Sequence, residues 1–464
     1  MGVIEFIGNS ILPAHTESNE SPSEGDALET AKSINNMVNE VDRDSRRPSV
    51  LIVAAKWWPL SARLASALVR HGCRVTALCP AGHPLTHLST LDGIRRYGGI
   101  RSLSSLSRAI KATQPHIVVP CDDGVVAQLH ALHRREPALR EVIQRSLGSP
   151  QSFPVVSSRY RLLTTALALG IAVPETRQAE STEDLVHWHQ NMAQAGILKL
   201  DGESGGNGVR ICGSLRESLA AWQDARRPLG FATAWKRLAV DGDPLALWTP
   251  EGRVREITIQ RIIHGRPANS MLACRNGRVL SQISVVVLAS DGPTGASTIV
   301  QRIRDDRMER AANLLAARLQ LTGFYGLDFM IETSTGTPYL IEMNPRCTQL
   351  GHLEFADQGS LAGAFSADLR GEPPSPAQRP IPAGPIALYP QSLHALSNGS
   401  RFRNNSYLDV PWEEPGIADE FKLGPLPHRR WPARLYHSVK PLRRQAGMEY
   451  EDFAVTFDAG LADL

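Results

Sequence analysis

The segment that most constrains the fold is residues 323–346, GFYGLDFMIETSTGTPYLIEMNPR, in which two β-rich runs flank the polar stretch TSTGT. Such a pattern predicts a β-hairpin. A hairpin centred on Thr335 places Asp328 directly opposite Glu342, because the two residues lie equally far from the centre. Asn344 shares the face of Glu342, since alternate residues of a strand point to the same side. The hairpin therefore predicts three oxygen-bearing side chains on one face.

The opposite face of the predicted hairpin is apolar and is expected to face the core. It carries Leu327, Phe329 and Ile331 from the first strand and Tyr339, Ile341 and Met343 from the second. A register slip of one residue would exchange the two faces, so both assignments depend on the pairing.

The facing carboxylates predict a divalent metal ion. Directly opposed Cβ atoms lie roughly 5 Å apart, and two carboxylates at that distance repel by about 3 kcal/mol at an effective dielectric constant of about 20. A bound cation removes this repulsion, and two carboxylates with one amide suit Mg²⁺ or Mn²⁺ rather than zinc. The alternative is an ordinary hairpin whose acids face water, and the hairpin alone does not decide between the two.

A second segment, ILKLDGESGGNGV at residues 197–209, combines a short apolar strand, Lys199 and a glycine-rich loop. Glycines let backbone N–H groups approach phosphate oxygens, and a lysine adds a compact positive charge. The loop lacks the spacing of a Walker A loop or of a dinucleotide fingerprint. A simple glycine-rich hairpin loop is the alternative, and Asp201 and Glu203 must point away from phosphates or contact a metal.

Together the two segments resemble the ATP-grasp superfamily, whose members carry a Lys before a flexible glycine-rich loop and a D…ExN metal element over a hundred residues later. The resemblance covers roughly residues 50–370. Residues 158–176 are similar to the family's opening helix and its G-hydrophobic-x-V-P-x-T strand. Residues 259–266 are similar to the hinge strand, whose backbone binds adenine.

The resemblance implies roles for individual residues, with ATP and Mg²⁺ (or Mn²⁺) as cofactors. The implied metal ligands are Asp328, Glu342 and Asn344. Arg346 and Lys199 are the implied catalytic residues. The implied ATP-binding residues are Arg159, Lys199, Gly205, Gly206, Gly208, Gln260, Arg261, Ile262 and Ile263. Further candidates for phosphate or substrate contacts are Arg302, Thr348 and His352.

The sequence departs from the family pattern at two places. Many relatives have a lysine near Arg159 that contacts the phosphates, so Arg159 or Arg161 has to serve here. Many also have an acid just beyond the hinge that holds the ribose, and residues 265–270 contain none. Asn269 or Ser270 is the expected substitute.

The activity implied by the resemblance is that of an ATP-dependent carboxylate–amine ligase. ATP phosphorylates a carboxylate to an acyl phosphate, and an amine then displaces phosphate. Such a reaction needs positioning and charge neutralisation. One alternative is a biotin-carboxylase-like or carbamoyl-phosphate-forming enzyme, although the sequence has no biotinyl Met-Lys-Met segment and no second ATP-grasp copy. The other is a nucleotide-binding regulatory protein without turnover.

The predicted fold class is α/β with an α+β ATP-grasp core, in four parts. Residues 1–47 are polar and expected to be disordered or loosely packed. Residues 48–150 alternate strands and helices, which predicts a Rossmann-like parallel sheet, and this part resembles the pre-ATP-grasp domain of the superfamily. Residues 151–372 form the predicted two-subdomain ATP-grasp fold, and residues 373–464 a proline-rich C-terminal extension.

In the N-terminal part, apolar runs predict strands at 49–55, 74–78 and 116–120, and a helical pattern predicts a helix at 60–71. Asp122 and Asp123 follow the last of these strands, where open α/β sheets bind ligands. A helix N-cap with a first-turn acid is the favoured interpretation, and a substrate-facing role stays open. The turn after the first strand contains Trp57 and Trp58 but no glycine, which argues against a dinucleotide site.

The composition excludes several other classes. A net charge of +3 over 464 residues gives no indication of nucleic-acid binding. The six cysteines contain no CxxC pair, so neither a zinc site nor a disulfide framework is expected. No apolar run approaches the ~18 residues that span a bilayer, and no secretory signal is visible. The predicted compartment is the cytoplasm, and the predicted partners are a small carboxylate and an amine, with a homodimer left open.

Overall fold

The computed structural model describes residues 47–99, 101–192, 195–201, 208–227, 235–240, 243, 256–292, 295–397, 400–439 and 448–450. The chain divides into a unit of residues 1–47 and a unit of residues 48–464, and everything below concerns the second unit. Residues 1–46 of the predicted N-terminal extension, and the loop glycines Gly205 and Gly206, lie outside the described residues.

The N-terminal sheet is parallel and has the strand order β3-β2-β1-β4. Its strands are β1 (Ser49–Val53), β2 (Arg74–Cys79), β3 (Gly93–Arg96) and β4 (Ile117–Pro120). Around it lie α1 (Pro59–Arg70), α2 (Ser102–Thr113), α3 (Asp123–Arg135) and α4 (Arg140–Leu147). Short 3₁₀ turns occupy Pro84–His87, Pro137–Leu139 and Pro150–Ser152.

The predicted parallel sheet is confirmed, and the sequence analysis missed only its edge strand β3. That strand is four residues long and has no buried residue, so it lacks the apolar run by which β1 and β4 were recognised. Gly72 follows α1 with a φ of 88°, a left-handed conformation that glycine adopts without a Cβ clash.

A small antiparallel sheet of strand order β5-β8-β6-β7 follows. It contains β5 (Thr176–Gln178), β6 (Gly196–Leu200), β7 (Val209–Cys212) and β8 (Ile257–Arg261). It packs on α7 (Thr182–Met192) and α8 (Leu215–Arg226), and Lys236–Val240 is a π-helical turn. The hinge strand, predicted over residues 259–266, ends at Arg261, and the next strand begins at Gly265.

The largest sheet has the order β13-β12-β9-β10-β11-β16-β17, with β18 paired to β10. Its strands are β9 (Gly265–Arg275), β10 (Arg278–Ser290), β11 (Ser297–Ile303), β12 (Gly323–Glu332), β13 (Pro338–Asn344), β16 (Pro385–Leu388), β17 (Tyr407–Asp409) and β18 (Met448–Glu449). A short hairpin joins β14 (Glu354–Phe355) to β15 (Gly359–Ser360).

The remaining helices are α5 (Phe153–Val156), α6 (Arg159–Ala168), α9 (Asp306–Leu319) and α10 (Leu361–Arg370), followed by α11 (Ser392–Ser397), α12 (Pro415–Lys422), α13 (Leu426–Arg429) and α14 (Trp431–Val439). Ser158 caps α6 and Asp305 caps α9, each accepting a backbone N–H of the first turn. The sequence therefore starts both helices with a residue type that favours this position.

The C-terminal segment completes the core rather than lying apart from it. Leu388, Tyr389 and Phe421 are buried in the same apolar cluster as Val50 and Leu68 of the N-terminal sheet layer. The burial of these side chains removes apolar surface of both parts from water, which couples their stability. The predicted boundary at residue 372 stays a prediction.

A cluster of buried charges also joins these parts. We name it the charged cluster; it contains Arg63, Arg70, His71, His352, Glu354 and Asp409. Arg63 Nη2 lies 2.7 Å from Asp409 Oδ1, and His352 Nε2 lies 2.7 Å from Asp409 Oδ2. Glu354 Oε1 accepts from Arg70 at 2.9 Å. The cluster connects α1, β14 and β17.

We expect the charged cluster to make the protein acid-sensitive. Burial alone would raise the pKa of Glu354, but hydrogen bonds from His71 and Arg70 outweigh it and hold the pKa well below 4.5. Because the unfolded carboxyl binds its proton at higher pH, this stabilisation is complete above about pH 4.5 and is lost as pH falls below it. Urea unfolding between about pH 6 and about pH 3 should show a shallower fall for Glu354→Gln than for wild type. Equal slopes would contradict the assignment.

Candidate active site

The central hairpin pairs Asp328 with Glu342 and Gly326 with Asn344, as the sequence predicts. A β-bulge follows on the turn side, because Phe329 pairs with Leu340 and leaves Ile341 as the extra residue. A bulge exchanges the two faces only beyond its own position. The predicted pairing of Asp328 with Glu342 is therefore retained. On the turn side of the bulge, the residues of β13 point to the faces opposite to those predicted.

The bulge makes part of the predicted core face wrong. Leu327, Phe329, Ile331 and Met343 are buried as expected, but Tyr339 and Ile341 are not. Leu340 takes their place in the core and is fully buried. Ile341 instead lines the cavity described next.

The acids face a cavity of about 510 Å³. Its charged and amide lining comes from separate elements of the fold: Asp123, Arg159, Lys199, Asp201, Asn269, Asp328, Glu342, Asn344 and Arg346. Its apolar lining includes Ile197, Ile211, Ile263, Val287, Phe329, Met330 and Ile341. The structure thus brings both sequence segments, the lysine strand and the acidic hairpin, to one place.

Asp328 is held by two amides. Asn344 Nδ2 donates to its Oδ2 at 2.9 Å, and Asn269 Nδ2 donates to its Oδ1. Burial and the facing Glu342 carboxylate raise the pKa of Asp328 to about 6. Asn269, which with Ser270 was a candidate for the ribose contact, contacts Asp328 across the β9–β12 pair. The ribose contact stays a prediction.

Arg159 joins two carboxylates at the floor of the cavity. Its Nη1 lies 2.8 Å from Asp201 Oδ1, and its Nη2 lies 2.7 Å from Glu342 Oε1. Burial would lower the pKa of Arg159, but the charges of Glu342 and Asp201 raise it overall, so the guanidinium stays charged. Asp201 points toward Arg159, so the charge of this acid is balanced by the guanidinium.

Lys199 lies on β6 and lines the same cavity with a side chain that is almost fully buried. Burial, followed by the positive charge of Arg159, lowers the pKa of Lys199 to about 8. A buried ammonium near Arg159 gains more from an anionic ligand than an exposed one, because its charge is weakly screened.

Arg346 is oriented by an acid from the N-terminal sheet. Its Nε lies 3.1 Å from Asp123 Oδ2, and its Nη2 donates to Asn344 Oδ1 at 3.3 Å. Asp122 is the N-cap of α3 and also accepts the Ala55 N–H at 2.6 Å, which leaves Asp123 to face the cavity. The sequence favoured a structural interpretation for the two acids and left a substrate-facing role open; the signal for Asp123 was that only one of two consecutive acids can be the N-cap.

Some residues of the predicted hinge and of the glycine-rich loop line the cavity, and others contact residues around it. Ile262, Ile263 and Gly208 line the cavity. Gln260 is buried and donates to Thr176 Oγ1 at 3.0 Å, and Arg261 lies 3.8 Å from Glu332 Oε1, so neither contributes its side chain to the lining.

Of the three further contact candidates, only Thr348 lines the cavity. Arg302 forms a bidentate ion pair with Asp357, and its Cζ lies 4.7 Å from the centroid of the Phe355 ring. His352 belongs to the charged cluster. Arg302 lies on β11 with its side chain at Asp357, and the chain after β13 carries His352 to Asp409.

The donor set fits an oxygen-preferring dication. Two carboxylates face each other, the pKa of Asp328 is raised, and the buried Asn269 Oδ1 has no hydrogen-bond partner within the described residues. The described residues contain no group of three or more His, Cys, Asp or Glu suited to a metal. Mg²⁺ fits such a set, since it is commonly held by one or two carboxylates together with substrate phosphates.

Residues 248–349 match the family model described as the ATP-grasp domain. The match includes β9, β10 and the acidic hairpin. It confirms the predicted resemblance to the ATP-grasp superfamily and, together with the sheets described above, the predicted fold class. No curated protein matches the sequence significantly.

Solved structures with the ATP-grasp fold resemble the chain over most of its length. N5-carboxyaminoimidazole synthetase from Staphylococcus aureus has a TM-score of 0.52 and 12% identity, covering 76% of this chain and 85% of its own. Biotin carboxylase from Campylobacter jejuni, complexed with β-γ-ATP, has a TM-score of 0.51 and 14% identity, covering 71% and 72%.

A third relative is the dimeric biotin carboxylase domain of 2-oxoglutarate carboxylase from Hydrogenobacter thermophilus, solved with MgADP, ADP and bicarbonate. Its TM-score is 0.51 and its identity 13%, covering 71% of each chain. At these identities the likeness shows the ATP-grasp fold. Separately, none of the helices in the described part of the chain is long and apolar enough to cross a membrane.

Proposed function

We propose that this chain is an ATP-dependent ligase that joins a carboxylate to an amine through an acyl phosphate, with release of ADP and phosphate. The observation that carries the proposal is the shared cavity: Lys199 and Arg346 line it together with the facing acids of the hairpin. Positive and metal-binding groups around one space are what transfer of a phosphoryl group requires.

Each residue of the cavity has a role that follows from its chemical group. Asp328, Glu342 and Asn344 would hold Mg²⁺, which supplies neutralisation of phosphate charge when it is bound. Lys199 binds phosphate oxygens as a buried point charge. Arg346, with its planar fork and its Asp123 anchor, orients the transferring group or the substrate carboxylate. These roles need positioning rather than covalent participation by the protein.

The apolar part of the cavity suits the adenine base. Ile262 and Ile263 follow β8 and line the space beside Ile197 and Ile211. Apolar walls with a few placed polar groups are typical of cofactor pockets. We extend to this chain the binding of ATP, which the Campylobacter relative displays with a β-γ-ATP ligand.

We further propose a cytoplasmic location and small-molecule carboxylate and amine substrates. A homodimer is an additional hypothesis, since the Hydrogenobacter relative is a domain dimer. Sedimentation of the full chain at micromolar concentration tests the oligomeric state directly.

The proposed activity is tested by ADP and phosphate release from Mg-ATP in the presence of pooled amino acids and small carboxylic acids. We expect ADP formation that requires both a carboxylate and an amine and that Glu342→Ala abolishes, because this change removes one of the two facing carboxylates. AMP formation would contradict an acyl phosphate. Tight Mg-ATP binding without turnover over a wide panel would favour the regulatory alternative.

A further inference from the structure

A second cavity, of about 890 Å³, adjoins the first. Trp58 and Ser290 line both cavities. The two spaces therefore meet at these two residues. A molecule in the second cavity would sit next to whatever occupies the first.

The partition between them is built by the C-terminal strand β18. Ser290 at the end of β10 pairs with Met448, and Ala289 pairs with Glu449. Met448 and Glu449 line the second cavity, whereas Tyr450, the next residue, lines the first. The C-terminal segment thus contributes to both spaces, a role that its sequence did not indicate.

The two cavities differ in their strongly basic residues. The first contains Arg159, Lys199 and Arg346 beside four acids, Asp123, Asp201, Asp328 and Glu342. Within the described residues, the lining of the second includes neither Lys nor Arg, and its ionisable residues are Asp291, Glu449 and His394. Glu449 has Arg401 at 3.8 Å, whereas the exposed Asp291 has no such ion pair within the described part of the chain. A cleft with acids and no strong bases favours a cationic ligand over an anionic one.

The walls of the second cavity are largely aromatic and apolar. Trp57 and Phe421 meet edge to face with ring centroids 6.5 Å apart, and Trp58, Pro390 and Leu393 complete the wall. Tryptophan faces attract cations as well as apolar groups. An apolar body that carries an ammonium group matches both features.

Polar atoms without partners also lie in this wall. Thr298 is 3% exposed, and its Oγ1 has no hydrogen-bond partner within the described residues; the same holds for the buried Gln391 Oε1. Buried polar atoms are normally satisfied, so such orphans indicate a missing water or ligand. Both atoms accept hydrogen bonds, as donors on an ammonium require.

We propose that the second cavity binds the amine substrate, a primary amine with an aromatic or bulky aliphatic body. This inference rests on the proposed ligase function and names the substrate class of its second half-reaction. The bound ammonium first gives one proton to water and becomes a neutral amine. Its nitrogen lone pair then forms the C–N bond with the acyl carbon, the C–O bond to phosphate breaks, and phosphate leaves with that electron pair. The second proton that the nitrogen sheds passes to the departing phosphate.

The test is a titration of the full-length protein with phenethylamine, followed by saturation-transfer NMR, with 3-phenylpropionate as the anionic counterpart. We expect phenethylamine to bind with a dissociation constant in the millimolar range, about −4 kcal/mol, and more tightly than 3-phenylpropionate. Leu393→Trp should weaken binding at least about tenfold, because the larger ring fills the cavity. Asp291→Asn should weaken it several-fold.

Leu167→Trp is the matched control. Leu167 is 63% exposed on α6 and lines neither cavity, whereas Leu393 is 41% exposed on α11 and lines the second, so neither substitution forces the larger ring into the packed core. Both variants should keep the wild-type thermal midpoint and the wild-type affinity for Mg-ATP. Absent phenethylamine binding, equal binding of the anionic counterpart, or unchanged binding in Leu393→Trp would each overturn the proposal.

The same data separate this inference from the proposed function. Amine binding that responds to Leu393→Trp, without any carboxylate-dependent ADP release, would leave the amine site standing and remove the ligase. Carboxylate- and amine-dependent ADP release that is insensitive to Leu393→Trp would keep the ligase and place its amine elsewhere.

Discussion

Replacing Asp328 with asparagine should lower ATP turnover by at least about a hundredfold while leaving the folded protein no less stable within about 1 kcal/mol. Activity and stability respond differently because the negative charge of Asp328 opposes folding but supports metal binding. In the free protein, burial and Glu342 raise the pKa of Asp328 to about 6, so its ionised form works against folding at neutral pH. In the proposed nucleotide complex, the same charge would hold the metal ion.

The measurement is steady-state ADP release beside a urea unfolding curve for the same preparation. Asp224→Asn is the matched control, since Asp224 is 69% exposed on α8 and contacts only Arg227, at 3.6 Å, among the ion pairs of the described residues. The control should match wild type in both assays. A large loss of stability in Asp328→Asn would mean that the acid is a structural group held by Asn269 and Asn344, and would contradict its assignment as a metal ligand.

Replacing Asp409 with asparagine should lower the free energy of unfolding by about 3–5 kcal/mol, the usual cost of breaking a buried ion pair. Asp409 is 2% exposed and holds both Arg63 and His352. Burial would raise the pKa of Asp409, but the charges of Arg63 and His352 outweigh it and lower the pKa. The substitution keeps the volume of the side chain and leaves the buried guanidinium without its counter-ion.

Urea unfolding at neutral pH measures this effect. Asp419→Asn serves as the control, because Asp419 is 73% exposed and pairs with Lys422 at the surface, where such pairs contribute less than about 1 kcal/mol. The double variant Arg63→Met with Asp409→Leu should recover much of the loss, since an apolar pair of similar volume removes the unpaired charge. A loss of less than about 1 kcal/mol in the free energy of unfolding of Asp409→Asn would show that water reaches Arg63 and that the ion pair is not buried from solvent.

Local chemistry was sufficient for the hairpin and for the parallel sheet. The turn-like TSTGT stretch between two β-rich runs set the pairing of Asp328 with Glu342, and the buried runs of β1 and β4 marked the first sheet. The N-cap of α6 by Ser158 also follows from residue type and position. Each of these depends on neighbours within a few residues, where periodicity and propensity apply.

The bulge at Ile341 could not be predicted from local sequence patterns. Nothing in the segment distinguishes Ile341 from Leu340, and both are apolar and β-branched or γ-branched. Which of the two enters the core depends on the packing layer beneath β13, where Leu340 is fully buried with Leu327 and Phe329. A sequence pattern of period two cannot contain that information.

The sequence by itself determined the chemical groups of the site: the acids of the hairpin, Lys199 before its loop, and Arg346 after the second strand. Tertiary structure alone decided their partners. It brought Asp123 to Arg346 and Asp201 to Arg159, moved Arg302 and His352 to other clusters, and built the second cavity from Trp57 and the C-terminal segment. The reason is physical: residue type fixes what a side chain can bind, but long-range packing, which depends on the whole chain, fixes what it meets.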